Sequence, residues 1–239
     1  QDGITHTACT PHAYPGVYEN EAKGIFAAVS SLQQHINDSG IKLKLTHGAD
    51  THLVPNMLSN IRNGNIPTLN STRYFLLEPS HHSRPPQFVH IVSSIISAGY
   101  IPLITHPERL TWADEYYDDF LEAADEGAWI QITSGAILGR FGRTPRYLAE
   151  QMLNDGIVHV IASDAHDTHR RVPRLAEGCA AAAKYVGDAE AQRMVLDRPQ
   201  AVLANANPDT VVPALAYQDH RPMLKDTVRK GGWLRALWG

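Results

Sequence analysis

The chain has 239 residues, 43% of them hydrophobic, with 15 prolines and 17 glycines, enough for one sizeable core and most economically one large domain. A net charge of -4 with histidine neutral supplies no positive field for nucleic acid or an anionic membrane surface, which leaves a small molecule or a protein as the expected partner. Cys9 and Cys179 give neither a disulfide framework nor a CxxC pair, and no apolar run approaches the roughly 18 residues of a membrane span, so a reducing, cytoplasmic setting is expected.

In chain order, short apolar runs at Ile4–Thr10, Ile41–Leu45, Tyr74–Leu77, Ile101–Thr105, Trp129–Thr133 and Ile157–Ala162 alternate with stretches of helical character. That rhythm predicts an α/β fold with parallel strands. In Pro86–Ala98, Phe88, Ile91, Val92, Ile95 and Ile96 recur at helical spacing and predict a helix with one apolar face. Gly3, Gly40, Gly99, Gly127 and Gly156 each stand just before a strand, where a preceding helix ends and glycine accepts positive φ. By the same pattern Gln1-Asp2-Gly3 reads as the end of a helix whose body lies upstream. The sequence is therefore expected to begin late, lacking one strand and one helix.

Ligand-type residues cluster at the strand ends. His12 follows the first strand, Asp50 the second, Glu78 the third, His106 the fourth, and Asp164 with His166 the sixth. Parallel strands in a barrel place those ends on one face, so these side chains are expected to converge. A mixed imidazole and carboxylate set suits Mn, Fe or Zn rather than Ca or Mg, and carboxylates can bridge metals that hydrolyse phosphate esters. Each residue alone has an ordinary reading as a loop histidine or helix cap; their concurrence is the signal. Arg109 and Arg171, with Arg170 beside it, are expected to ring the same opening, because guanidinium forks match phosphate oxygens. His35, His159 and His220 read as surface or packing residues. His47, His52, His81 and His82 are expected only to line the mouth, without a metal role.

Several chemistries are excluded. Neither cysteine has an arginine six positions later, so the cysteine-nucleophile phosphatase loop is absent, and there is no P-loop, dinucleotide fingerprint or Gly-x-Ser-x-Gly elbow.

Cys9-Thr-Pro-His12, Gly48-Ala-Asp50, Arg73-Tyr-Phe-Leu-Leu-Glu78, Thr105-His-Pro-Glu-Arg109 and Ala162-Ser-Asp-Ala-His166 with Arg171 resemble the motifs of the PHP (polymerase and histidinol phosphatase) superfamily. The nearest branch resembles the CpsB/CapC type of bacterial manganese-dependent protein-tyrosine phosphatase. The resemblance runs to about Pro208 and implies a distorted (β/α)7 TIM-like barrel holding up to three metal ions, Mn2+ first, with Fe or Zn as alternatives. By position it assigns metal ligation to His12, Glu78, His106, Asp164 and His166. It also assigns Asp50, where better-known members carry Glu. The family opens with a His-x-His pair that nothing before His12 supplies, in keeping with the late start inferred at Gly3.

The implied activity is hydrolysis of phosphotyrosine, on a tyrosine autokinase controlling capsule or exopolysaccharide export, by in-line attack of metal-activated water. Arg109 and Arg171 would hold the non-bridging oxygens. Two alternatives keep the scaffold: a histidinol-phosphatase-like phosphomonoesterase, and an inactive barrel acting as a binding or regulatory module. Residues 1–212 are expected to form the phosphatase domain and residues 213–239 a flexible basic tail, in which Lys225, Arg229, Lys230 and Arg235 alternate with Trp233, Leu234, Leu237 and Trp238.

Overall fold

The protein is described over residues 2–218 by a computed structural model. Strands β1 (His6–Cys9) and β2 (His12–Ala13) are two halves of one interrupted strand. After helix α1 (Ala22–Asp38), β3 (Lys44–His47) and β4 (Asp50–His52) repeat that arrangement. His6 lies opposite Lys44 and His12 opposite Asp50, both in parallel register. Pro11, which has no N–H to give, sits in the first interruption. The ladder continues through carbonyls there, with Gly48 N–H donating to Cys9 O and Asp50 N–H to Pro11 O. Gly48 fills the facing interruption, where a Cβ would come within 2.8 Å of Leu69 Cδ2.

The chain then runs through α2 (Met57–Arg62), β5 (Tyr74–Glu78), α3 (Phe88–Ser97), β6 (Ile101–Thr105), α4 (Asp118–Asp125), β7 (Trp129–Thr133), the short α5 (Ser134–Ile137), α6 (Arg143–Asn154), β8 (Val158–Ala162) and α7 (Leu175–Val186). Helices α8 (Asp188–Gln192) and α9 (Arg198–Leu203) follow, joined by a π-helical turn. The sheet order is β2-β4-β5-β6-β7-β8, every pair parallel. Among the described residues β1 pairs only with β3 and β8 only with β7, so the observed ladder is open-ended. No helix among them is long and apolar enough to cross a membrane.

Both faces of the sheet are covered. Phe75, Leu77, Ile104, Ile130 and Ile132 pack with Val92, Ile95, Phe120, Leu148 and Met152 from the helices, while Tyr74, Leu76, Leu103, Trp129 and Val160 form a second cluster. Strands buried on two faces read as continuous apolar runs, which is why β5 to β8 coincide with the predicted segments. The run at Ile41–Leu45 does not. Its strand is Lys44–His47, because Lys44 is the first residue to come level with β1, and Ile41 remains 56% exposed. The predicted helix over Pro86–Ala98 is α3, which ends as expected at a glycine. Gly99 takes φ 89°, and Tyr100 N–H reaches back to Ile95 O.

The packed body extends past the Pro213 boundary expected for the tail. Arg198, 1% exposed, donates to Val212 O at 3.0 Å and Pro213 O at 2.6 Å, and Ala216 N–H donates to Gly156 O. The basic and aromatic positions of the expected tail, together with His220, lie outside the described residues.

His159 is a packing residue, as the sequence implied. Its ring stacks on Trp129 at 5.2 Å and faces Tyr217 at 6.3 Å, and its Nδ1 accepts from Ile130 N–H at 3.2 Å. Burial, aided by the nearby Arg198 charge, lowers its pKa from 6.5 to about 3. Between those values the unfolded chain binds a proton that the native imidazole refuses. The associated stability is therefore complete above about pH 6.5 and falls as pH drops towards 3, at about 1.4 kcal/mol per pH unit. His159→Asn, which retains an acceptor, is expected to flatten that part of the acid limb in urea unfolding measured across pH. An unchanged slope in the variant would locate the sensitivity elsewhere.

Candidate metal centre

The parallel register assembles the site. Between β2 and β4 it sets His12 beside Asp50, and between β4 and β5 it sets His52 beside Glu78. Asp50 and His52 stand two apart on one strand and so share a face. His106 follows β6 and is tied to β7 by its N–H, which donates to Gln131 O at 2.8 Å. Asp164 and His166 follow β8.

His106 and Asp164 both adopt left-handed backbone, with φ of 36° and 48°, a conformation that costs a non-glycine residue roughly 1–3 kcal/mol. The surroundings hold His106 there. Pro107–Arg109 forms a 3-10 turn closed by Arg109 N–H on His106 O. Glu108 is 1% exposed and accepts from Thr133 N–H at 2.9 Å and from its hydroxyl at 2.7 Å. Burial pushes the Glu108 carboxyl up. The sequence Thr-His-Pro-Glu-Arg thus has a division of labour: His106 and Arg109 face the site, while Pro107 and Glu108 fix the turn that presents them.

Glu78, 2% exposed, is the centre. Its Oε2 lies 2.8 Å from His12 Nδ1 and 2.6 Å from His52 Nε2. Its Oε1 lies 3.3 Å from His81 Nε2 and 3.7 Å from His106 Nε2. Asp50 Oδ2 is 3.8 Å from both His12 Nδ1 and His106 Nε2. Burial alone raises the Glu78 carboxyl, but the imidazoles of His12, His52 and His81 override it and hold the group well below the usual carboxylate range. The Glu78 hydrogen bond raises His12 against its own burial. In His106 burial works downward, and the Asp50 carboxylate reverses it. Among the described residues, two groups bring their donor atoms within 4.8 Å of one another, His12 with His52 and Glu78, and Glu78 with His81 and His106. This imidazole and carboxylate chemistry fits a divalent transition-metal ion.

A second cluster sits opposite. Arg109 Nη1 binds Asp164 Oδ2 at 2.6 Å, and Arg171 Nη2 pairs with the same oxygen. Phe141 lies beneath both guanidinium groups, 4.5 Å from Arg109 and 5.8 Å from Arg171. Asp164 Oδ1 is turned to the His166 side, 3.6 Å from its Nδ1.

His12, Glu78, His106, Arg109, Asp164, His166 and Arg171 all line one cleft of about 230 Å³, so the predicted residues converge. Asp50 stands behind it, 6% exposed. His52, His81 and Tyr18 also line the cleft, a larger part than the sequence reading gave the two histidines. A signal for His81 was present, three residues after Glu78, whereas His52 lies on a short strand, Asp50–His52, that no apolar run marks. His47 instead contributes to a wider cleft of about 460 Å³ beside α1 that shares no residue with this cluster.

The family model described as capsular polysaccharide synthesis, CpsB/CapC, matches residues 1–204. The tyrosine-protein phosphatase YwqE of Bacillus subtilis is 29% identical over 171 residues, covering 72% of this chain and 67% of its own. The tyrosine-protein phosphatase CpsB of Streptococcus pneumoniae is 28% identical over 211 residues, 85% of this chain and 86% of its own. A chain from the crystal structures of these two proteins, described there as unique metal-dependent tyrosine phosphatases, superposes with a TM-score of 0.81 at 27% identity, over 86% of this chain and 83% of that one.

Proposed function

The chain belongs to the CpsB/CapC capsular polysaccharide synthesis family, and from that premise we propose that it is a metal-dependent protein-tyrosine phosphatase acting in the cytoplasm. Its target, in this reading, is a tyrosine autokinase that controls capsule or exopolysaccharide production. The observation that carries the proposal is the pairing, in one cleft, of a buried carboxylate ringed by imidazoles with two guanidinium groups. Relatives named tyrosine-protein phosphatases support the substrate class. The parallel sheet is taken as part of the distorted (β/α)7 barrel of the PHP superfamily.

His12, Asp50, Glu78, His106, Asp164 and His166 are the residues proposed to hold the ions, with Mn2+ as the expected metal and up to three per chain. The chemistry such ions supply when bound is Lewis-acid polarisation of phosphoryl oxygen and a nucleophile from water near neutral pH. The chain's own contribution is positioning. Asp164 Oδ2 orients the Arg109 and Arg171 forks, and Phe141 supports their planes, so that two cations meet the non-bridging oxygens of the phosphate. A tyrosine phenolate, with a pKa of about 10, leaves without a strong acid, and the mechanism asks none of the cleft.

The test is turnover of a phosphotyrosine peptide against histidinol phosphate by the Mn2+-loaded chain. Preference for the peptide is expected, and Arg109→Ala should lose about 10²–10³ in rate with its metal content unchanged. Preference for histidinol phosphate would replace the protein substrate by a small one. Inactivity of metal-loaded protein on both would leave a binding module.

A further inference from the structure

Two histidines that line the cleft stand outside the ligand set proposed above. His52 ends β4 with its Nε2 2.6 Å from Glu78 Oε2, yet that nitrogen is buried without an aligned hydrogen-bond partner. Such a close approach without hydrogen-bond alignment is what two neighbouring ligands of one ion show, and His12, His52 and Glu78 bring their donor atoms within 4.8 Å of one another. By contrast, His12 Nδ1 does make an aligned hydrogen bond to the same oxygen at 2.8 Å. The His52 ring is held in place by Tyr14, stacked at 4.2 Å and 13°, and its side chain is 16% exposed. A surface histidine has no need of such fixing.

His81 mirrors it across the carboxylate. Its Nε2 is 3.3 Å from Oε1, and its ring lies 5.2 Å from that of His106. The loop that carries it is anchored to the rest of the molecule by backbone contacts. His81 O accepts from Thr111 N–H at 2.9 Å and from its hydroxyl at 3.0 Å, while Trp112 Nε1 donates to Ser80 O at 2.8 Å. The neighbouring His82 and His90 are exposed and serve as internal controls.

From this geometry we propose that His52 and His81 are themselves metal ligands, one on each oxygen of Glu78. His12 and His52 complete the ion on the Oε2 side, and His81 and His106 the ion on the Oε1 side. The inference rests on the preceding reading only for the presence of divalent ions, not for the reaction or its substrate. It makes the centre of this chain richer in imidazole than the proposed six-residue set, and imidazole favours Mn, Fe or Zn over the harder, oxygen-preferring Ca and Mg.

The experiment is equilibrium binding of Mn2+ to the metal-stripped full chain, for the wild type, His52→Gln, His81→Gln and the double variant, with circular dichroism confirming the fold. Loss of even an outer partner of a ligand weakens metal binding about 10–100-fold, so each single variant is expected to lose at least about 10-fold in the affinity of one ion. The double variant should weaken two ions, each by at least about 10-fold. A second measurement requires no variant. In wild-type protein carbethoxylated with diethylpyrocarbonate and mapped by mass spectrometry, adding Mn2+ should protect His52 and His81 and leave His82 and His90 reactive. Wild-type affinity and stoichiometry in the folded variants, or no protection at His52 and His81, would overturn the proposal. A wild type that binds Mn2+ through these residues but leaves phosphotyrosine intact would uphold it while removing the phosphatase reading.

Discussion

Replacing Glu78 with glutamine is expected to reduce phosphotyrosine hydrolysis by more than about 10³-fold, beyond the 10²–10³ typical of losing a single transition-state donor, and to strip most bound metal. The reason is the number of interactions that converge on one group. Both oxygens of Glu78 face imidazole nitrogens, from four histidines on four different segments, and the group is 2% exposed, so no water replaces what is lost. Glutamine keeps the shape but removes the charge, and its amide turns two hydrogens towards nitrogens that should bind a cation. Arg109→Ala lies on the other side of the cleft and should slow turnover with the metal retained, so the two variants separate holding the ions from holding the phosphate. Metal content by mass spectrometry and turnover of a phosphotyrosine peptide, measured on the same preparation, decide the matter. Turnover of Glu78→Gln within about 10-fold of wild type would move the centre away from this carboxylate.

The parts legible in the sequence are those where one physical cause acted alone. The strands from Tyr74 to Ala162 are buried on both faces, so their apolar runs were unambiguous. The strand-end position of His12, Glu78, His106 and Asp164 followed from the shared polarity of parallel strands. Where two causes competed, the residue pattern pointed the wrong way. Ile41 is apolar but exposed, and drew the second strand three residues too early. His52 was expected only to line the mouth, although register places it, and not Asp50, level with Glu78. That pairing depends on the three-residue strand Asp50–His52 beyond Gly48, which no propensity indicates. The double grip of Arg109 and Arg171 on Asp164 was also invisible, because it joins residues 55 and 7 positions apart through side chains alone.

The same limit hid a structural liability in the chain, and Arg198→Ala is expected to cost about 3–5 kcal/mol of stability. Arg198 reads as an ordinary helix residue, yet it is 1% exposed. Its Nη2 meets Glu190 Oε1 and Pro213 O, each at 2.6 Å, its Nε meets Val212 O at 3.0 Å, and its Nη1 meets His159 O at 3.3 Å. Burial lowers its pKa, with Glu190 acting against that, so the pair is held by mutual need rather than by a favourable medium. Truncation leaves Glu190, itself 2% exposed, with Arg193 and Gln218 as its remaining charged or polar partners, and the carbonyls of Val212, Pro213 and His159 each lose a donor, Pro213 O keeping Gln218 Nε2. For a protein of this size each kcal/mol shifts Tm by about 2–4 °C, so a fall of roughly 10 °C is expected in calorimetry. Because the guanidinium also fastens Val212 and Pro213, amide exchange over Val212–Gln218 should quicken more than in β6 or β7. Pairing Arg198→Met with Glu190→Met should recover part of the loss, since a buried ion pair exchanged for apolar groups of similar volume is often neutral. Arg198→Ala with a Tm within about 2 °C of wild type would mean that the network is bystander geometry, and that the C-terminal segment is held by its apolar contacts instead.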